Sequence, residues 1–89
     1  MCLNLRLSPS LHKNINGNLE IQLSGRTIKE CLSYARYTYP DIKNILWRDN
    51  HINPQLLLFH NNTLIRENDF LKKVTTHDVL DIIPAIEAG

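Results

Sequence analysis

Apolar and polar residues alternate over residues 3–8 and again over residues 19–23, a pattern typical of half-buried β-strands. Asn16-Gly17, in the connection between them, suits a turn with positive φ, so the two strands are predicted to form a hairpin. Residues 79–83 form a third apolar run rich in branched side chains, which also favours a strand. Because a proline cannot donate a hydrogen bond to a ladder, this last strand is predicted to end at Pro84.

A helical period replaces the alternation after Ser24-Gly25-Arg26. The apolar residues that follow recur at the spacing of one helical face. They are Ile28, Cys31, Leu32, Ala35 and Tyr39. Thr27 and Glu30 have the spacing of a capping box at the helix start, and Pro40 is expected to end the helix. Cys2 is expected on the polar side of the first strand, facing away from Cys31, so no disulfide is predicted.

The middle of the chain predicts shorter elements. Residues 41–47 favour one more helical turn, with Ile42, Ile45 and Leu46 turned inward. Residues 48–54 are polar and turn-rich, which predicts a loop. Residues 55–60 are apolar without alternation, as expected of a strand covered on at least one face.

The last third of the chain is predicted to contain a turn, an edge strand, a loop and the final strand. Asn61-Asn62 suits a tight turn, because asparagine tolerates positive φ. A short edge strand is predicted at Leu64-Ile65. Residues 66–78 are predicted to be a loop with inward-facing anchors. These anchors are Phe70, Leu71 and Val74. In the final strand Leu80 and Ile82 are expected to face the core if Asp81 faces water.

The resulting order is strand, strand, helix, strand, short strand, strand. One helix must bury its apolar stripe against one face of a sheet, since no other segment can cover it. The sequence therefore predicts an α+β roll with a mixed four- to five-stranded sheet packed on one main helix. Residues 1–84 are predicted to be the domain, and residues 85–89 a flexible tail without regular structure.

Composition excludes several classes of function. Ten Lys and Arg against nine Asp and Glu, with no basic cluster, argue against a nucleic-acid surface. The longest apolar stretch is residues 56–59, too short for a membrane span, and no signal-peptide pattern is present, so a cytoplasmic protein is expected. The four histidines are scattered, which makes a metal site improbable. No residue pattern indicates an enzyme active site.

Four stretches carry a resemblance to a known family. They are RTIKECL at residues 26–32, YPDI at 39–42, NPQLLLFHNN at 53–62 and THDVLDIIPAI at 76–86. In this order and spacing they resemble the β-grasp (ubiquitin-like) sulfur carriers, among them the small subunit of molybdopterin synthase and the thiamine-pathway carrier. The likeness covers nearly the whole chain. The resemblance therefore implies the β-grasp fold.

The resemblance also implies a function for the C-terminus. In the family the terminal glycine, here Gly89, has its carboxylate adenylated with ATP by an activating enzyme and converted into a thiocarboxylate that delivers sulfur for cofactor biosynthesis. The implied partners are that adenylate-forming enzyme and a large synthase subunit. No cofactor is implied on the chain itself. The family normally ends in Gly-Gly, whereas this chain ends in Ala88-Gly89.

The tail and one sheet face are the candidate site. The tail residues expected to enter a partner's active site precede Gly89. They are Pro84, Ala85, Ile86, Glu87 and Ala88. Alternation places Ile83 on the face away from the helix, beside either Leu57 and Phe59 or Leu56 and Leu58. The family uses that face against partners, so Leu57, Phe59 and Ile83 are the candidate docking patch.

Alternatives remain open for both parts of this site. The patch could instead be covered by a loop or by a second copy of the chain. The tail could join Gly89 to lysines, as in a ubiquitin-like modifier. It could also never be activated, which would make the chain a β-grasp interaction module.

Overall fold

A computed structural model describes residues 2–11 and 20–88 of the chain, and its strands build one five-stranded sheet and one small hairpin. In chain order the strands are β1 (Cys2–Leu7), β2 (Glu20–Ser24), β3 (Trp47–Arg48), β4 (His51–Ile52), β5 (Leu56–His60), β6 (Thr63–Ile65) and β7 (Asp78–Pro84). The α-helices are α1 (Ile28–Thr38), α2 (Pro40–Leu46) and α3 (Ala85–Ala88). Single 3-10 turns lie at Pro9–Leu11 and Glu67–Asp69.

The main sheet has the strand order β2-β1-β7-β5-β6. β1 and β2 are antiparallel, as the predicted hairpin requires, while β7 runs parallel to β1 and antiparallel to β5. The sheet is therefore mixed, and its central strand is the last strand of the chain. The predicted turn at Asn16-Gly17 and the face of Leu19 lie outside the described residues.

The two ends of α1 lie where the capping box and Pro40 predict them. Thr27 Oγ1 accepts a hydrogen bond from the Glu30 N–H at 3.2 Å. Glu30 Oε1 accepts from the Arg26 N–H at 3.2 Å, one residue before the N-cap. Pro40 follows the C-cap residue Tyr39 and is itself the first residue of α2, where its missing N–H costs no helical hydrogen bond.

The core lies between α1, α2 and one face of the main sheet. Three of its most deeply buried sheet residues, Leu5, Leu80 and Ile82, come from the adjacent strands β1 and β7. The predicted stripe of α1 packs against this face. Its buried members are Ile28, Cys31, Leu32 and Ala35. From α2, Ile42 and Leu46 are buried, and Ile45 packs against the cluster from its edge.

Gly25 is required by the close passage of the β2–α1 connection along the helix start. A Cβ at this position would lie 2.7 Å from the backbone nitrogen of Cys31, closer than real contacts allow. The fixed backbone on both sides leaves that contact no simple way to relax.

Two predictions for the loops are wrong. Residues 48–54 are not entirely loop, because β3 and β4 pair around a turn in which Asp49 has a φ of 59°. Two-residue strands are too short to show alternation, so the sequence carries no sign of them. Leu71 is not an inward anchor, since it is 74% exposed, whereas Val74 is buried and Phe70 packs against the core as predicted.

The described helices include none of the length and apolar character needed to cross a bilayer.

Candidate functional site

β7 carries the C-terminal segment out of the middle of the main sheet. Its pairing with β5 continues to Pro84, which lies opposite Leu56. Pro84 cannot donate a hydrogen bond. The N–H of the next residue, Ala85, donates to the Gln55 carbonyl at 2.8 Å. The backbone of the chain is therefore held to the sheet as far as Ala85.

Beyond this anchor the chain forms the single helical turn α3. The expectation that residues 85–89 have no regular structure is thus wrong for Ala85–Ala88. Four residues make only one turn, so the sequence shows no periodicity that could reveal it. The side chain of Ile86 is 90% exposed.

Gly89 and the side chains of Glu87 and Ala88 lie outside the described part of the chain. The reactive role of Gly89 and the flexibility of the tail therefore stay predictions.

The three residues of the predicted docking patch lie together on the face of the main sheet that the helices do not cover. Leu57 is directly opposite Ile83, and Phe59 is opposite Asp81. All three apolar residues are partly exposed, while Leu56 and Leu58 are buried on the other face. Of the two registers left open by the sequence, the structure therefore has the one with Leu57 and Phe59.

The structure adds Leu64 to this surface. Leu64 pairs with Phe59 in the edge strand β6 and is 45% exposed. The sequence predicts the strand but not its register, and only the register assigns Leu64 to a face. We call the cluster of Leu57, Phe59, Leu64 and Ile83 the open-face patch.

An ion pair borders the open-face patch. Arg6 Nε donates to Asp81 Oδ1 at 2.7 Å, and Arg6 Nη2 donates to Asp81 Oδ2 at 3.0 Å. This hydrogen bonding, together with the negative charge of Asp81, raises the pKa of Arg6. The two residues are register partners in β1 and β7, and Phe59 is the next residue in the same row. The polar boundary of the patch is therefore fixed by the strands that form it.

A buried carboxylate fixes the start of β7. Asp78 is 7% exposed, and its oxygens accept hydrogen bonds from Asn61 Nδ2 at 3.0 Å, Thr75 N at 3.0 Å and Thr75 Oγ1 at 2.8 Å. His60 Nε2 lies 2.9 Å from Asp78 Oδ2. Burial alone would raise the pKa of Asp78, but the hydrogen bonds from Asn61, Thr75 and His60 outweigh it and hold the pKa well below its usual range.

The sequence gives no sign of this cluster. His60 ends β5, Asn61 lies in the β5–β6 turn, Thr75 lies in the loop before β7 and Asp78 begins β7, so only the folded chain brings them together. Asn61 also accepts a hydrogen bond from the Val79 N–H through its side chain at 2.9 Å, so the turn is bound directly to β7. The cluster therefore joins the start of β7 to the β5–β6 turn, at the end of β7 opposite the tail.

Neither cysteine forms a disulfide. Cys31 is completely buried in α1, and this burial, with a smaller contribution from Glu30, raises the pKa of its thiol to about 11. Because the thiolate is the nucleophilic form, both the complete burial and the raised pKa disfavour reaction of Cys31 at neutral pH.

Comparison with known proteins gives a relative in sequence. No family model matches the chain. A candidate sulfur carrier protein of Archaeoglobus fulgidus is 28% identical over 91 residues, and the alignment covers 100% of this chain and 100% of that protein. The aligned region therefore extends over the tail.

Solved structures similar to this chain share its fold. Small archaeal modifier protein 1 of Methanosarcina acetivorans has a TM-score of 0.79 at 19% identity, with 99% of this chain and 96% of that chain covered. A chain of the BexX/CysO complex of Amycolatopsis orientalis has a TM-score of 0.76 at 19% identity, with 93% and 94% covered. A chain of the complex of subunits 1 and 2 of molybdopterin-converting factor from Helicobacter pylori has a TM-score of 0.62 at 15% identity, with 94% and 93% covered. The predicted α+β β-grasp fold is confirmed.

Proposed function

Because the chain resembles the β-grasp sulfur carriers in sequence and in fold over nearly its whole length, we propose that it is itself a sulfur carrier. In this scheme the Gly89 carboxylate attacks the α-phosphate of ATP in a partner activating enzyme, which releases pyrophosphate and leaves an acyl-adenylate. Hydrosulfide, delivered by a sulfur donor, then attacks the carbonyl carbon and displaces AMP. The product is a thiocarboxylate at Gly89, which supplies sulfur to a molybdopterin- or thiamine-like cofactor.

The observation that carries this proposal is the placement of the tail. The root of the tail is the central strand of the sheet, hydrogen-bonded on both sides, and the chain beyond Ala85 makes no further strand pairing among the described residues. A partner can therefore bind and extend the tail while β7 stays paired in the sheet. The chain contributes a substrate carboxylate to this reaction and no catalytic group. The activation reaction consumes ATP, which favours a cytoplasmic location for the chain.

The helical turn α3 must unwind for the tail to reach into another protein. Four residues span about 6 Å along a helix axis but about 13 Å when extended. Residues 84–89 together span about 20 Å when extended. A single helical turn is marginal in water, because so few hydrogen bonds offset the ordering of the backbone, so a partner can unwind it at little cost.

The two last residues determine how easily the carbonyl is approached. Glycine has no Cβ, so Gly89 obstructs neither a narrow channel nor an attacking nucleophile. Ala88 places one methyl group where the family has a second glycine. If the channel is tight, this methyl costs on the order of 1–3 kcal/mol in overpacking.

The open-face patch is the proposed docking surface for the activating enzyme and, in the cofactor pathway, for a large synthase subunit. Apolar groups clustered on an exposed sheet face favour contact with another protein. The patch contains Ile83, one residue before the tail begins. A partner bound to the patch therefore holds the root of the tail beside its own active site.

The test is the intact mass of the chain after incubation with a cognate activating enzyme, ATP and a sulfur donor. We expect exchange of one oxygen for sulfur at the C-terminus. A chain lacking Gly89 is the control and should remain unmodified. Activation without sulfur exchange, or no modification of the full chain, would refute the carrier function.

A ubiquitin-like modifier is the second candidate, favoured by the similarity to small archaeal modifier protein 1. In that function a lysine amine, instead of hydrosulfide, displaces AMP from activated Gly89 and forms an isopeptide bond. Conjugates of higher mass in a lysate, absent for the chain lacking Gly89, would support it. If neither sulfur exchange nor conjugates form, the chain is a β-grasp interaction module.

A further inference from the structure

A groove lies on the helix side of the molecule, away from the open-face patch. Its walls are α1, the β3–β4 hairpin and the segment around Phe70, and its volume is about 450 Å³. None of its lining residues belongs to the main sheet. A ligand in this groove would therefore leave both the patch and the tail accessible.

Two cations on α1 face this groove without a carboxylate partner. Lys29 and Arg36 both line it, and neither takes part in an ion pair within the described residues. They are seven residues apart, so they lie on the same side of α1, about 10 Å apart along its axis. The Arg36 guanidinium lies 5.4 Å from the centre of the Trp47 ring. Its polar contact is a weak one with Asn50 Oδ1 at 3.4 Å.

Glu67, the single carboxylate among the lining residues that the structure describes, is already engaged. Glu67 Oε1 accepts a hydrogen bond from the Ile52 N–H at 3.0 Å, and Oε2 lies 3.7 Å from His51 Nδ1. Its carboxylate is therefore held at the hairpin. Two cations, Lys29 and Arg36, stand against this one carboxylate among the described lining residues, so the groove has a net positive charge, and that charge lies on its α1 side.

Apolar side chains at the rim of the groove are held in contact with water. Leu71 is 74% exposed and Tyr37 is 86% exposed. The backbone around Leu71 is fixed to α1, because Lys29 N donates to the Phe70 carbonyl at 2.9 Å and Ile28 N donates to the Lys72 carbonyl at 3.1 Å. Leu71 is thus presented by an ordered backbone. An exposed leucine in such a position gains free energy when a partner covers it.

We propose that this groove binds a short peptide segment of a partner protein in which apolar side chains alternate with carboxylates. The carboxylates complement Lys29 and Arg36, and the apolar side chains cover Trp47, Phe70 and Leu71. This partner is acidic where it meets the chain. Because the groove is separate from the tail, the chain can bind this partner and an activating enzyme at the same time.

Trp47 is the sole tryptophan of the chain, so its fluorescence reports directly on the groove. The probe is the peptide acetyl-Glu-Leu-Asp-Phe-Glu-amide, titrated into the full chain at low salt. The neutral control is acetyl-Gln-Leu-Asn-Phe-Gln-amide. We expect a saturable fluorescence change with the acidic peptide and an affinity at least tenfold lower for the neutral one.

A matched pair of charge reversals assigns the site. Lys29→Glu, inside the groove, should weaken binding of the acidic peptide about tenfold, since it turns an attraction into a repulsion. Lys43→Glu makes the same change on α2, outside the groove, and should alter affinity less than twofold. Both side chains are exposed, so neither variant is expected to unfold.

Several results would overturn the proposal. These are the absence of a saturable change at millimolar acidic peptide, equal binding of the neutral peptide, and equal losses for Lys29→Glu and Lys43→Glu. A fluorescence change that depends on protein concentration without any peptide would mean that a second copy of the chain fills the groove, which also contradicts it. The result does not depend on Gly89, so it is independent of the sulfur-carrier proposal.

Discussion

The two sides of β7 have opposite environments. On the helix side Leu80 and Ile82 are completely buried, whereas on the other side Asp81 and Ile83 are partly exposed. Successive residues of a strand point to opposite faces, so one strand can serve both sides. The covered side stabilises the fold, and the open side remains available for recognition. Substitutions on the covered side of β7 should therefore lower stability, whereas substitutions on the open side should weaken partner binding.

The largest effect on stability is expected from Ile82→Ala. Ile82 is completely buried and lies between its register partners Leu7 and Leu58. Its truncation leaves a cavity in the middle of the core, which should lower the free energy of unfolding by about 2–5 kcal/mol. Urea unfolding followed by Trp47 fluorescence measures this. A loss below about 1 kcal/mol would mean that the covered side of β7 is not the stabilising one.

A smaller loss is expected from Asp78→Asn, which removes the charge that holds the start of β7. Replacing the carboxylate leaves some of its donors without an acceptor, so the free energy of unfolding at pH 7 should fall by about 1–3 kcal/mol. The measurement is urea unfolding at pH 7, and Asp49→Asn in the exposed β3–β4 turn is the control. Equal effects of the two substitutions would contradict the role given to the cluster.

The same variant should change the pH dependence of stability. The folded-state pKa of Asp78 lies below that of an unfolded aspartate, which is about 3.9. Its contribution is therefore complete above about pH 4 and is lost as the pH falls below that value. We expect the native chain to lose stability more steeply than the Asp78→Asn variant between about pH 5 and pH 2. Parallel curves would show that the carboxylate of Asp78 is not the group responsible.

Ile83→Ala should lower the stability of the fold only slightly but weaken binding to the activating enzyme strongly. Ile83 is only partly buried, so its truncation should lower the free energy of unfolding by about 1 kcal/mol. If the open-face patch docks the activating enzyme, the KM of that enzyme for the chain should rise about tenfold. Gln22→Ala, on the same sheet face in β2, is the matched control and should leave KM unchanged. A KM that stays constant for both variants would exclude the patch as the docking surface.

The sequence predicts the covered side of the sheet well. Leu80 and Ile82 are identified by alternation once Asp81 is assigned to the solvent side, and the stripe of α1 by its helical period. The capping box of Thr27 and Glu30 and the turn at Asn61-Asn62 are also readable, because they depend on neighbours within four residues. Such features need no knowledge of how distant segments meet.

The remaining features depend on distant or very short segments. Leu64 belongs to the open-face patch only through its register with Phe59, and Asp78 meets His60 across 18 residues of sequence. Helix α3 has only four residues, too few to show a helical repeat of apolar positions in the sequence. Leu71 is apolar and is therefore predicted to lie inside, but the backbone hydrogen bonds on either side of it hold it at the surface. Apolarity predicts burial only where the backbone can turn the side chain inward.

Ala88→Gly should have the smallest effect on stability and still change function. Position 88 lies beyond the last strand, so the free energy of unfolding should change by less than about 0.5 kcal/mol. If the partner's channel is shaped for glycine, removal of the Ala88 methyl group should raise kcat/KM for adenylation about tenfold. Pyrophosphate release with the cognate enzyme measures this, and Gln22→Ala in β2, outside the tail, is the control and should leave the rate unchanged. A lower rate for Ala88→Gly would instead mean that the partner recognises the alanine, and that the substitution at this position selects a particular activating enzyme.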